Sequence, residues 1–238
     1  MHGHLNQDHW QYFEKCADLE QGPVGTVPAS YALIGNLSSE KLSNHALSRN
    51  EVLGICQDGK TDEWLCFLTI MAWGAQDKMR GGPGKVKAMF EQKMLIVEKL
   101  HETKAAKSRA EAFDIWANHP VKHLGVAYFS KVLFFLLYPR LGVFIMDKWT
   151  SASFNLLRGE ARVTSRHLWQ RRYADEARNR YVEFCEFVEE IAQKLSVSKG
   201  KEVSSMEAEA ALFSVGGRGA RAGAWRAYVR ERIEAAGF

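Results

Sequence analysis

The chain has 238 residues, of which 46% are hydrophobic and 25% are charged, and its formal net charge is +4. This balance is typical of a globular protein with a buried core, and it excludes a disordered, a collagen-like or a disulfide-stapled chain. The longest apolar run, residues 132–138, is too short to cross a bilayer, which takes about 20 residues, so we expect no membrane partner. The first residues lack a basic segment leading into an apolar one, and we therefore expect no secretory signal and a cytoplasmic protein.

The four cysteines, at positions 16, 56, 66 and 185, lie far apart in the sequence, and none belongs to a Cys-x-x-Cys pair. A structural zinc ion or an iron–sulfur cluster needs ligands at closer spacing. The pattern therefore predicts reduced thiols, and we expect neither a metal nor a cofactor.

Helical periodicity predicts an all-α fold. Apolar residues recur at helical spacing over Glu63–Ala75, with Asp62 placed as the N-cap, and the glycine-rich residues 81–84 are expected to end this helix. The remaining helices are predicted over 85–104, over 108–117, near 130–138, after a break at 139–142 and from Asp147 onward, over 173–195, and as two short helices around 216–219.

Positive charge is concentrated in one segment. Between Arg158 and Arg180 there are seven arginines against three acidic residues, a surplus that equals the net charge of the whole chain, and Trp169 and Tyr173 stand among them. Such a segment suits a polyanion, because arginine binds phosphate through paired donors and releases condensed counterions. A solvated helical face with ordinary ion pairs is the other interpretation, and the charge run alone does not exclude it.

A lysine and an aspartate stand out in the most apolar part of the sequence. Lys131 lies at the entrance of the apolar run, after a turn expected at Gly125, and Asp147 opens the next helix sixteen residues later. Burial disfavours a charged lysine, and a neutral amine forms Schiff bases with carbonyl carbons, while an aspartate stabilises positive charge on a sugar. The alternative is that Lys131 extends to solvent and that Asp147 is only an N-cap.

The order of these features resembles the helix–hairpin–helix DNA glycosylase superfamily, and within it the 8-oxoguanine DNA glycosylase branch and its bacterial relatives. The resemblance extends over about residues 60–215. It implies that Lys131 attacks the anomeric carbon of an extruded nucleotide and that Asp147 assists. The family usually has Gly-hydrophobic-Gly just before the lysine, whereas this chain has Ala127-Tyr128-Phe129-Ser130.

The resemblance also implies the fold and further site residues. It predicts one domain over 1–238 with two helical lobes, in which 1–60 and 119–238 form the helix–hairpin–helix core and 61–118 an inserted lobe. Trp73 and Gln76 would lie near the extruded base, and Phe184 or Phe187 would stack on it unless they only fill the core. The residues expected to contact DNA are Gly125, Ser130, Arg166, Arg171 and Arg172.

The implied function is a DNA glycosylase with lyase activity, active as a monomer, that flips and excises a modified purine, 8-oxoguanine, from duplex DNA. A second interpretation is a non-cleaving relative that recognises a modified guanine-like base or a protein partner, as in bacterial anti-phage defence operons. The missing hairpin glycines favour the second interpretation, and the retained Lys131 and Asp147 oppose it. A third is a purely structural helical module, which predicts no affinity for DNA.

Overall fold

The computed structural model describes residues 4–19, 25–75, 82–159, 174–214 and 223–235. The described residues form twelve helices and no strand, which confirms the predicted all-α class. Among these helices none is both long and apolar enough to span a membrane. All four cysteines carry free thiols.

The helices in chain order are α1 (Gln7–Cys16), α2 (Pro28–Ile34), α3 (Arg49–Gln57), α4 (Glu63–Ala75), α5 (Pro83–Phe90), α6 (Lys93–Ala105), α7 (Arg109–Asn118), α8 (Val126–Leu137), α9 (Lys148–Arg158), α10 (Ala174–Lys199), α11 (Ser205–Phe213) and α12 (Ala224–Ala235). The helices pack as two compact units. Unit 1 consists of residues 1–22 and 144–238, and unit 2 consists of residues 23–143. The predicted division, with an inserted lobe at 61–118, uses other boundaries and stays a prediction. Helices α1, α2 and α3 were not predicted.

Helix α4 begins at Glu63 and is capped by Asp62, as its sequence predicts. The carboxylate of Asp62 accepts hydrogen bonds from the backbone amides of Trp64 and Leu65, at 2.9 and 3.2 Å. These bonds satisfy two amides that have no partner within the helix, which stabilises the first turn. In unit 2, α4 packs against α2, α3, α6 and α8.

Helix α8 is the most enclosed helix of unit 2 and packs against α3, α4, α6 and α7. Nine of its twelve residues are buried, as expected for a helix that is apolar on all sides. It begins at Val126, four residues before the predicted start at Ser130. The reason is that the amides of Tyr128 and Phe129 both donate to the Gly125 carbonyl, at 2.8 and 3.0 Å, so the helix starts directly after the glycine.

The single helix predicted over 85–104 was wrong, because the structure breaks it into α5 and α6. The backbone leaves the helical conformation at Gln92, with φ −94° and ψ 22°. The side-chain nitrogen Nε2 of Gln92 donates to the Ala88 carbonyl at 2.9 Å, and the side-chain oxygen Oε1 accepts from the backbone amide of Lys122 at 2.9 Å. This side chain ties the break to the segment before α8, and neither a glycine nor a proline marks the position in the sequence.

The core of unit 1 joins α9 to α10, α11 and α12. Ser153 on α9 donates to the Leu212 carbonyl at 2.7 Å and accepts from the Trp225 indole nitrogen at 2.9 Å. All three residues are almost wholly buried, so these bonds form in an apolar environment where unpaired polar atoms are costly. The start of α12 is therefore fixed against α9.

Candidate active site

Lys131 is held inside unit 2 and is only 8% exposed. Its amine donates to the carbonyl of Ala127, one turn earlier on α8. The nitrogen also lies 5.5 Å from the centre of the Tyr128 ring, a distance at which an ammonium group is attracted to the ring face. The predicted lysine is therefore a buried residue whose amine turns back onto its own helix beside an aromatic ring.

Gly74 on α4 makes room for this lysine. A Cβ added at Gly74 would lie 2.3 Å from Cδ of Lys131 and 2.7 Å from its Cε, which is far below contact distance. A glycine inside a helix costs about 1 kcal/mol relative to alanine, so its presence in an apolar helix indicates a close approach. Sequence reasoning missed Gly74, although an isolated glycine within a strongly helical pattern is the signal that marks such a position.

Trp73, the residue before Gly74, is half-buried at the same end of α4. Its ring meets the Phe135 ring edge to face at 5.0 Å, and its indole nitrogen is buried with no hydrogen-bond acceptor among the described residues. The backbone of Gly25 lies against that of Trp73, since a Cβ added at Gly25 would lie 2.2 Å from Cα of Trp73. The structure therefore brings the predicted Trp73 to the helix end that contacts Lys131.

The hairpin before α8 turns at a different residue from the one predicted. His123 has φ +70°, in the left-handed region, whereas Gly125 has φ −75° and serves as the N-cap of α8. A Cβ at Gly125 would meet nothing within 4 Å. The Phe129 ring packs inward against the Phe113 ring, with ring centres 5.3 Å apart, and therefore does not cover the N-terminal end of α8.

Asp147 in unit 1 is the N-cap of α9, as predicted. One carboxylate oxygen, Oδ1, accepts from the amides of Trp149 and Thr150 at 2.7 and 3.0 Å, and the Thr150 hydroxyl accepts from the Asp147 amide at 2.9 Å. Within the described chain no group donates a hydrogen bond to the other oxygen, Oδ2. The cap thus fixes the direction of the carboxylate while one oxygen stays available.

The remaining predicted residues are buried or lie outside the described residues. Phe184 and Phe187 are fully buried in α10 and meet Phe154 of α9 with ring centres at 6.1 and 4.8 Å, and Ser130 is fully buried in α8. These contacts are those of core residues, and the predicted roles in binding stay predictions. The residues outside the described part of the chain are Gln76, Arg166, Arg171 and Arg172.

Two arginines at the ends of the basic segment form ion pairs with glutamates. Arg158 lies 2.8 Å from Glu190 with its side chain 5% exposed, and Arg180 lies 2.9 Å from Glu183. Arg180 therefore agrees with a helix surface carrying an ordinary ion pair, whereas the pair of Arg158 and Glu190 is largely buried between α9 and α10. The predicted phosphate contacts of the segment concern other arginines and stay predictions.

Comparison with known proteins identifies the family. Residues 5–213 match the family model described as "Putative 8-oxoguanine DNA glycosylase OGG-like protein". No curated protein and no solved structure matches the chain. The matched segment contains both Lys131 and Asp147 and covers most of the 238 residues. The chain therefore belongs to the OGG-like 8-oxoguanine DNA glycosylase family.

Proposed function

We propose that this protein excises a modified purine from DNA through a covalent bond to Lys131, with 8-oxoguanine, the base named by the family, as the substrate. The observation that carries the proposal is a lysine residue that is only 8% exposed and is held by α4 and α8. Membership of a family of DNA glycosylase-like proteins supports the reaction class.

The proposed chemistry uses the neutral form of the Lys131 amine, in which the nitrogen carries a lone pair. The Lys131 nitrogen attacks C1′ of the nucleotide, and the electron pair of the glycosidic bond leaves with the base, which takes up the proton that the nitrogen gives up. The nitrogen lone pair then forms an iminium with C1′ as the C1′–O4′ bond opens, and O4′ takes a proton from solvent. Loss of a proton from C2′ lets the C3′–O bond break, so the strand is cleaved at the 3′ phosphate.

The resemblance assigns Asp147 to the same sugar. Positive charge develops at C1′ as the base departs, and a carboxylate oxygen without a hydrogen-bond donor stabilises that charge more strongly than a fully bonded one. The amides of Trp149 and Thr150 hold Oδ1 and leave Oδ2 for this role.

Borohydride trapping tests the function. Borohydride reduces an iminium to a stable amine, so the wild-type protein is expected to form a covalent adduct with a duplex that contains 8-oxoguanine and none with the matched duplex that contains guanine. Release of the free base is measured in parallel. The proposal is wrong if neither an adduct nor a free base appears on the 8-oxoguanine duplex while a glycosylase of known activity gives both.

Replacing Gly74 by alanine is expected to lower adduct formation by about tenfold or more, because the new methyl group occupies the space of Cδ and Cε of Lys131. The melting temperature is expected to stay near the wild-type value, since alanine stabilises a helix by about 1 kcal/mol and this offsets the strain. Gly54→Ala on α3, where an added Cβ meets nothing within 4 Å, is the matched control. Full activity of Gly74→Ala would show that the position of the lysine stem is not important.

Recognition without cleavage is the second candidate, and one observation favours it. The Lys131 amine donates to the Ala127 carbonyl, and it must give up this bond before it attacks a nucleotide. A protein of this kind would bind the 8-oxoguanine duplex more tightly than the guanine duplex and would release no base. The trapping experiment therefore separates the two candidates.

A further inference from the structure

Three cationic side chains surround one tryptophan in unit 1. The guanidinium of Arg226 lies 4.6 Å from the centre of the Trp149 ring, the amine of Lys148 lies 5.2 Å from it, and the guanidinium of Arg230 lies 5.8 Å from it. Lys148 is exposed, and Trp149 and Arg230 are half-buried. We call Lys148, Trp149, Arg226 and Arg230 the basic cluster.

The charge of the basic cluster is poorly neutralised. Among the described side chains neither Lys148 nor Arg230 has a carboxylate at ion-pair distance, in contrast to Arg158 and Arg180 of the same unit, which pair with glutamates. Burial lowers the pKa of Arg226, the charge of Asp147 acts in the opposite direction, and Arg230 adds to the lowering. Three cations held close together, with the Asp147 carboxylate near only Arg226 among them, leave a net positive potential that attracts anions.

Arg226 of the basic cluster is held in place before any ligand binds. Arg226 donates two hydrogen bonds to the Phe213 carbonyl, at 2.8 and 3.2 Å, and its guanidinium lies 4.3 Å from the centre of the Phe213 ring. The neighbouring Trp225 is bonded to Ser153 in the core of unit 1. Because these contacts fix α12 against α9, an anion that binds here does not have to order the Arg226 side chain.

We propose that the basic cluster binds the phosphodiester backbone of the DNA strand, with Lys148 and Arg230 as phosphate ligands and the Trp149 ring as a surface for the adjoining nucleotide. The cluster begins at the residue after Asp147, so a strand bound here passes beside the carboxylate. Arg226 and Arg230 lie on α12, beyond the matched residues 5–213, and the family comparison assigns them nothing. This inference rests on the proposed function and names the surface that the DNA uses.

Binding of a fluorescent duplex without any lesion tests the inference, with anisotropy measured over a range of salt concentrations. Arg230→Ala is expected to weaken binding about five- to tenfold at low salt and to reduce the slope of log K against log salt by about 0.9, the value for one phosphate contact. Lys148→Ala/Arg230→Ala is expected to reduce that slope by about twice as much. Arg180→Ala, which removes an arginine already paired with a glutamate, is the matched control and is expected to bind as the wild type does.

The outcomes separate this inference from the proposed function. If Arg230→Ala and the double variant bind like Arg180→Ala, the basic cluster is not a DNA surface, and base excision by the wild type is unaffected by that result. If their affinity and salt slope fall as stated while the wild type forms no borohydride adduct, the surface is established and the reaction is not. If the wild type binds no duplex at low salt, the inference is wrong. Melting curves confirm that every variant is folded.

Discussion

Replacing Lys131 by glutamine is expected to abolish the borohydride adduct and to lower base release by roughly a thousandfold or more, because the nucleophile is removed. Glutamine is expected to fit the site, since its side chain is one bond shorter than that of lysine and keeps an N–H donor for the Ala127 carbonyl that accepts from the lysine amine. The melting temperature should therefore change little, and the affinity for the 8-oxoguanine duplex should be kept. Gel analysis of the trapped complex and a binding curve on the same duplex measure the two effects.

Lys87→Gln is the matched control for the loss of one positive charge, because Lys87 is an exposed residue on α5 of the same unit. It should trap and excise like the wild type. An adduct of normal yield with Lys131→Gln would show that another amine forms the iminium, and it would overturn the assignment of Lys131. Loss of binding together with loss of the adduct would instead indicate that the lysine contributes through its charge.

Much of the fold was predictable because the strongest sequence signals are local. The helix Glu63–Ala75 follows from periodicity and from an aspartate at its cap, and the structure confirms its start, whereas the end expected at residues 81–84 is preceded by residues outside the described part of the chain. Asp147 was predicted at a helix start for the same reason, and the structure confirms it as the N-cap of α9. A cap and its helix depend only on neighbouring residues, so one sequence is sufficient to find them.

Features that depend on distant contacts were not predictable in the same way. The break at Gln92 is stabilised by a hydrogen bond from the backbone amide of Lys122, thirty residues away. The local sequence pattern around Gln92 does not indicate such a distant bond. Gly74 matters because Lys131 lies against it, a contact between two helices that are far apart in the chain. The left-handed turn falls at His123 and not at Gly125, although glycine has the stronger preference for that conformation.

Asp147 can be tested for chemistry separately from its role as a cap. Asparagine keeps the oxygen that accepts from the amides of Trp149 and Thr150, so Asp147→Asn should unfold within about 0.5 kcal/mol of the wild type. Removing the carboxylate charge should nevertheless lower base release by about a hundredfold, because the positive charge that develops on the sugar loses its partner. Asp147→Ala should show the same loss of activity and an additional loss of about 1 kcal/mol in the free energy of unfolding, since it removes the cap.

The two variants distinguish the two roles because only one of them removes the cap. If Asp147 acts solely as an N-cap, Asp147→Asn keeps both stability and activity, and Asp147→Ala loses stability but keeps its activity at temperatures where it is folded. If the carboxylate acts on the sugar, activity falls in both variants and stability falls in only one. Rates of base release under single-turnover conditions, with chemical denaturation of each variant, measure the two quantities. Normal activity in Asp147→Asn would remove Asp147 from the proposed reaction, and Lys131 would then have to act without a carboxylate at this position.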